Sequence, residues 1–217
     1  MDLVELIKSR RSIRHFKQDV PPRAVIRECL EAASWAPNPT NQQPWHFTIA
    51  TGKQLKEISG IILEVFPRRM KDIDPYRGIP RDCELRKNET FGKLLTAAKQ
   101  AGFDPQELFP KNLTFYGAPV AVIFSVHKME NNLYRYATVA ALENFLLAAH
   151  AGGLGTCWLS AVAACQDEIK PVLAIPDGME ILDGVGLGYP VQDSALNTYK
   201  RTRLTVDETA TWIGFEE

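Results

Sequence analysis

Residues 134–151 constrain this chain more than any other segment. Read as a helix, they carry apolar side chains on nearly every face: Tyr134, Tyr136, Ala137, Val139, Ala140, Ala141, Leu142, Phe145, Leu146, Leu147, Ala148 and Ala149. A surface helix shows one apolar stripe, whereas a helix that is apolar all round has to be buried. Glu143, Asn144 and His150 interrupt the stretch. A bilayer-spanning helix needs about 20 consecutive apolar residues, so this is the helix of a water-soluble core and no membrane partner is expected. A chain of 217 residues suits a single domain over 1–217. Such a domain can bury the helix in its own core or against a second copy of itself. The alanines would let two backbones approach closely, and an apolar face that large should not meet water. The segment therefore predicts self-association as a homodimer.

The remaining elements read as follows. Helices are expected over 2–8, 23–36, 53–63, 89–100 and 168–173, with Leu3, Leu6 and Ile7 on one face of the first. Strands are expected over 45–51, 120–126, 154–159 and 181–187, the second being a continuous apolar run from Val120 to Phe124. Gly152-Gly153 ends the long helix. Residues 36–44 hold three prolines and can be neither helix nor central strand. From 67 to 112 charges dominate and prolines punctuate, which predicts a variable, partly mobile, lid-like excursion. From Tyr189 the chain reads as polar and extended, with Trp212, Ile213 and Phe215 as late apolar anchors. Strands and helices do not repeat as regular βαβ units, so α+β is favoured over a doubly wound α/β sheet.

With 25 basic and 26 acidic residues the net charge is -1. No global surface for nucleic acid or an anionic membrane is expected. Any anion site must be a local arrangement. Cys29, Cys83, Cys157 and Cys165 form no CxxC pair and no zinc spacing, so no metal is expected. They read as reduced thiols of a cytoplasmic protein. The acidic start, Met1 to Leu6, does not resemble a signal peptide.

Two groups of cations suggest where an anion site lies. Arg10, Arg11 and Arg14 fall within five residues beside Ser12, and Arg201 and Arg203 lie near the other end. Guanidinium groups bind phosphate bidentately, and two remote segments can converge on one phosphate. The competing reading is a solvated basic turn. Asn41-Gln42-Gln43 sets side-chain amides beside a strand, where they would either read the edge of a heterocycle or cap their own loop. Gly152, Gly153 and Gly155 join a helix to a strand, either to admit a flat ligand or as a simple helix cap. Gly184, Gly186 and Gly188 alternate along a strand with no helix following, so they are not a dinucleotide fingerprint. His15, His46, His127 and His150 are dispersed, without HExxH or GxSxG patterns.

Together these segments resemble the FMN-dependent nitroreductases. The resemblance is carried by Arg10 to Phe16, by Ala36 to Phe47, by Gly117-Ala118-Pro119, by Gly153 to Leu159, and by Arg201 with Arg203, all in order. It covers most of the chain except about 67–112. It implies a central mixed or antiparallel sheet surrounded by helices, in an interwoven homodimer with exchanged C-terminal arms and two FMN sites at the interface. Arg10, Ser12, Arg201 and Arg203 would hold the phosphate and ribityl end, with Arg11 close by. Arg14 would lie near the flavin pyrimidine, stabilising its reduced, anionic form. Asn41 would face the pyrimidine side, and Pro37, Asn38 and Pro39 would come from the partner. Trp158, Leu159, Ser160 and Ala161 would line the ring, with a backbone N–H near N5.

The implied activity is that of an NAD(P)H-dependent oxidoreductase working by ping-pong: NADPH or NADH passes hydride to the flavin, and a small electron-poor acceptor then takes the electrons. Nitroaromatics, quinones and activated alkenes are such acceptors. The alternatives are a specialised relative (a reductive dehalogenase, a flavin-cleaving enzyme or an oxidase) or a flavin-binding protein without turnover. Some family members carry Glu-Gly where this chain has Ser160-Ala161, which bears on the nicotinamide or acceptor pocket. The sequence assigns no flavin contact within 67–112.

Overall fold

Four apolar segments pair into one sheet, which sets the position of everything else. The computed structural model describes residues 2–71 and 73–215; Met1, with which the acidic start begins, Asp72, and Glu216 and Glu217 lie outside them. The strands are β1 (Trp45–Thr51), β2 (Val120–His127), β3 (Gly155–Leu159) and β4 (Met179–Gly188). Their order is β1-β2-β4-β3 and every neighbouring pair is antiparallel. Register is fixed by pairs such as Phe47↔Phe124, Val122↔Val185 and Thr156↔Leu187, with a bulge where Phe124↔Asp183 gives way to Ser125↔Ile181. A single parallel bridge, Ser12↔Thr156, ties the turn of residues 10–14 to the edge of β3.

Both faces of the sheet are covered. β2 is buried along its length apart from His127, as its unbroken apolar run requires. One face, bearing Val120, Val122, Phe124, Val185 and Leu187, packs on α2 (Arg23–Ser34) and α6 (Leu133–Ala151). The other, bearing Ala121, Ile123 and Ile181, packs on α3 (Gly52–Arg69), α4 (Arg81–Gln100), α5 (Leu108–Leu113), α7 (Ala161–Ala164) and α8 (Gln166–Val172). The long apolar helix is thus α6, which buries Ala137, Ala141, Leu142, Phe145, Leu146 and Ala149 in its own chain. Val139 and Leu147 are only half-buried, and Leu133 and Tyr136 are exposed. It ends as expected: Gly153 takes a positive φ of 75° and Leu154 N–H donates to the Ala149 carbonyl.

The first helix lies where expected, at Leu3–Ser9, but its apolar face is uncovered. In α1 (Leu3–Ser9) no residue is buried, and Leu3, Val4 and Ile7 are exposed. An apolar helix face with nothing over it lacks the packing that normally sustains a short helix.

The segment 67–112 is far more regular than its composition suggested. α3 runs through Pro67 to Arg69; Pro67 removes one backbone hydrogen bond of the last turn, and the helix ends two residues later. α4 starts at Arg81, eight residues before the expected 89. Its exposed first half carries the i,i+4 pair Asp82–Arg86, and Glu89–Lys93 follows at the same spacing. Its second half buries Leu94, Ala97 and Ala98. Further short helices lie where a plain loop or extended chain was expected, α7 at the end of β3 and α9 (Ala195–Thr198) in the last stretch. Cys29, Cys157 and Cys165 are buried free thiols and Cys83 is half-buried. No helix among the described residues is long and apolar enough to cross a membrane, and none of their His, Cys, Asp and Glu side chains cluster as a metal site.

Candidate functional site

The two arginine groups meet. The sheet places residues 10–14 against the β3 edge: Ile13 N–H donates to the Thr156 carbonyl at 2.8 Å. A β-carbon on Gly155 would meet Ile13 at 2.7 Å, so this glycine admits the turn rather than a flat ligand. Gly188 likewise accommodates Pro119, and Gly184 faces Val162 and Phe115.

The segment after α9 then runs back over the turn. Asn197, almost wholly buried, satisfies four backbone groups there. Its Oδ1 accepts from the N–H groups of Arg14 (2.8 Å) and His15 (3.1 Å). Its Nδ2 donates to the carbonyls of His15 (2.7 Å) and Val191 (3.0 Å). Arg201 donates to the carbonyls of Lys8 and Arg10. Between the two segments lies a cavity of about 190 Å3 lined by Arg10, Ser12, Arg14, Arg201 and Arg203. All five are phosphate-end or pyrimidine-end residues by the family resemblance.

Sequence reasoning missed the rest of this wall. α4 supplies Thr90 and Lys93, and the returning segment supplies Tyr199, Lys200 and Thr202. Thr90 and Lys93 stand one helical turn apart on one face, but they lie in the segment whose pattern was least readable. Tyr199 had no motif around it.

The electrostatics of this cavity are one-sided. Burial, then the neighbouring charges of Arg11, Arg203 and Arg10, hold the Arg201 guanidinium below its ordinary value. Burial first, then Arg10 and Arg201, lower His150, whose Nε2 sits 2.9 Å from the Ser9 hydroxyl. Opposing carboxylates are few: Glu143 approaches Arg10 Nε at 3.4 Å, and Glu89 pairs with Lys93. The Nε atoms of Arg10, Arg11 and Arg14 are buried without a hydrogen bond, that of Arg10 having only its ion pair with Glu143. The guanidinium groups of Arg10, Arg14, Arg201 and Arg203 on one cavity suit an anion with several acceptor oxygens.

Arg11 lies outside the cavity lining. Its Nη2 donates to the Tyr199 carbonyl at 2.6 Å, and its guanidinium stacks 5.2 Å from the Tyr199 ring centre. Arg14, Thr90, Thr202 and Arg203 also border a second cavity of about 840 Å3, walled by Tyr76, Phe91, Leu94 and Leu204 together with Arg86, Lys87 and Glu89. A small cationic chamber therefore adjoins a larger one of mixed apolar and charged lining, and Arg14 stands at the junction.

The other sequence-predicted residues lie elsewhere on the chain. Pro37, Asn38, Pro39 and Asn41 form the loop after α2, and they line neither cavity. Asn38 folds this loop by donating to the Ala36 carbonyl and accepting from Gln43 N–H. Thr40, Asn41 and Gln43 take positive φ values, an uncommon conformation for residues with side chains and one that marks strain. Trp158 and Ser160 are exposed at the end of β3, whereas the side chains of Leu159 and Ala161 are in the core, so only their main chain is available to a ligand. Beside Trp158, burial pushes the Asp183 carboxyl up to about 6, against a hydrogen bond with Trp158.

Comparison with known proteins places this geometry. The sequence profile of the Nitroreductase family matches residues 7–189. The chain is 28% identical to the 4-nitrobenzoate reductase of Nocardioides sp. (strain LMS-CY), over 96% of this chain and 88% of the relative. It is also 28% identical to the 4-nitrobenzoate reductase of Pseudomonas putida, over 99% of this chain and 97% of that one. Among solved structures, an FMN- and NADPH-dependent nitroreductase from Sphigopyxis sp. strain HMH superposes with a TM-score of 0.84 at 23% identity, covering 99% of this chain and 100% of that chain. An FMN-dependent nitroreductase from Mycobacterium smegmatis, solved with NADPH, gives 0.82 at 22% identity, covering 98% of this chain and 100% of that chain.

Proposed function

The chain belongs to the nitroreductase family, and on that footing we propose that it is an FMN-dependent oxidoreductase. It uses NADPH or NADH to reduce small electron-poor acceptors, with nitroaromatics first among them and quinones and activated alkenes beside them. The names of its relatives, two of them 4-nitrobenzoate reductases, support this order.

One observation carries the reading: Arg10, Ser12, Arg14, Arg201 and Arg203, drawn from both ends of the chain, line one cavity. The cationic chamber fits a phosphate group. Bound FMN would supply the two-electron chemistry, with the protein providing orientation and electrostatics. Arg10, Ser12, Arg201 and Arg203, with Lys93 from α4, bind the phosphate end. Arg11 braces the returning segment through Tyr199. Arg14 places a positive charge at the junction, where charge develops on reduction. The main chain of Trp158, Leu159, Ser160 and Ala161 and the amide of Asn41 orient the ring.

The working unit is a homodimer with exchanged C-terminal arms, in which the partner presents its Pro37, Asn38 and Pro39 loop. The exposed apolar face of α1 and the exposed Trp35, Trp212, Ile213 and Phe215 support this, since an isolated chain seldom leaves so much apolar surface in water. α4 forms the lid-like wall.

The test is purification followed by anaerobic mixing with NADPH and with NADH. A yellow protein that bleaches with either donor and recovers on adding 4-nitrobenzoate supports the reading. A protein that binds no added FMN overturns it. One whose flavin stays oxidised with both donors is a binding protein without turnover.

A further inference from the structure

Resting on the flavin reading above, we propose that Tyr199 is a positioning residue that aims Arg14 and so tunes the redox balance of bound FMN. Arg14 is held from several sides. Its backbone N–H is fixed by buried Asn197. Its Nη1 donates to the Tyr199 hydroxyl at 3.2 Å and to the Ser12 carbonyl at 3.5 Å. Its guanidinium carbon lies 5.7 Å from the centre of the Tyr116 ring. Tyr116 itself is pinned in a strained turn, with positive φ at Phe115 and Tyr116.

Every one of these partners is neutral. Among the described residues no carboxylate pairs with Arg14, in contrast to Arg10 with Glu143 and Lys93 with Glu89. That difference matters. A carboxylate would fix the side chain but neutralise its field, whereas a phenol hydroxyl fixes it and leaves the charge available to a ligand. A free arginine also carries substantial rotamer entropy, which this arrangement removes before a ligand arrives. Arg14 so held lines both cavities. Tyr199 is suited to this role because its other contacts anchor it independently: its carbonyl accepts from Arg11, and its ring lies against the Arg11 guanidinium.

Tyr199→Phe deletes the hydroxyl and keeps the ring and the carbonyl. The affinities for oxidised and reduced FMN are measured by fluorescence titration and by dye-equilibrated potentiometry. The variant should lose affinity for reduced FMN about tenfold more than for oxidised FMN. For a two-electron couple that ratio is a midpoint potential about 30 mV more negative. Thermal unfolding of the flavin-free protein should be unchanged within error. In an Arg14→Gln background the same substitution should leave the potential where it is, since the effect passes through Arg14.

Equal losses for both redox forms would reduce Tyr199 to a packing residue and overturn the proposal. So would a potential shift that persists without Arg14. If the wild-type protein binds no FMN, the flavin reading falls and this proposal with it. If it binds FMN and Tyr199→Phe leaves the potential unmoved, this proposal alone falls.

Discussion

A β-carbon on Gly155 would lie 2.7 Å from Cγ1 of Ile13 and 3.0 Å from its Cβ. Ile13 is β-branched and buried, so it cannot swing aside as the tip of a long side chain would. Gly155→Ala therefore pushes the turn of residues 10–14 off the β3 edge. The expected cost is about 1–3 kcal/mol of stability, as for other overpacked sites, together with weaker FMN binding because Arg10, Ser12 and Arg14 move with the turn. Thermal unfolding and FMN titration check this. Ile13→Ala in the same chain should restore part of the binding; a Gly155→Ala protein with wild-type affinity would show that the turn does not depend on this contact.

Arg201 and Arg203 should separate. Arg201 holds the returning segment onto the carbonyls of Lys8 and Arg10 as well as lining the cavity. Among the described residues Arg203 bonds only its neighbour's carbonyl. Arg203→Ala should weaken FMN binding about tenfold with little change in unfolding temperature. Arg201→Ala should do both, with a stability loss of about 1–2 kcal/mol for its charged hydrogen bonds. Both effects on binding should shrink as salt rises.

The contrast between these residues shows how much was readable beforehand. Arg10, Arg14, Arg201 and Arg203 were legible as a group because like charges clustered at two places need a common partner. The strands and α6 were legible because their periodicity matched their burial. Lys93 and Thr90 were not. The first half of α4 is exposed, so its helical state rests on ion pairs and a proline boundary rather than an apolar stripe. Tyr199 was invisible for another reason: its partners lie 185 and 188 residues away, and no local pattern records them.

Stability should carry the signature of Asp183. Its folded value is raised to about 6 by burial, above the ordinary 3.8. Between those values the folded state holds the proton that the unfolded chain has released. Stability from this group therefore falls as pH rises from about 4 to 6 and stays low above that. Asp183→Asn removes the penalty. The variant should be more stable than wild type by about 1–2 kcal/mol at pH 8, allowing for partial exposure, with the gain vanishing below pH 4. Denaturant melts across that range check it, and a gain independent of pH would refute the assignment.

Self-association has a direct measurement. The 24.3 kDa chain should sediment at twice its mass. Leu3→Glu with Ile7→Glu, placed on the exposed face of α1, should shift the protein toward monomer. Loss of FMN binding in step with dissociation would place the partner's loop at the site. Full binding by a stable monomer would exclude that contribution.

Arg201 reaches the carbonyl of Arg10 across 191 positions of sequence. The sheet, by contrast, is complete at Gly188. A chain emerging from the ribosome can thus assemble its sheet, with Arg10, Ser12 and Lys93 in place, before Arg201 and Arg203 have been made. A chain halted after β4 would hold one wall of the cationic cavity and lack the segment that closes it.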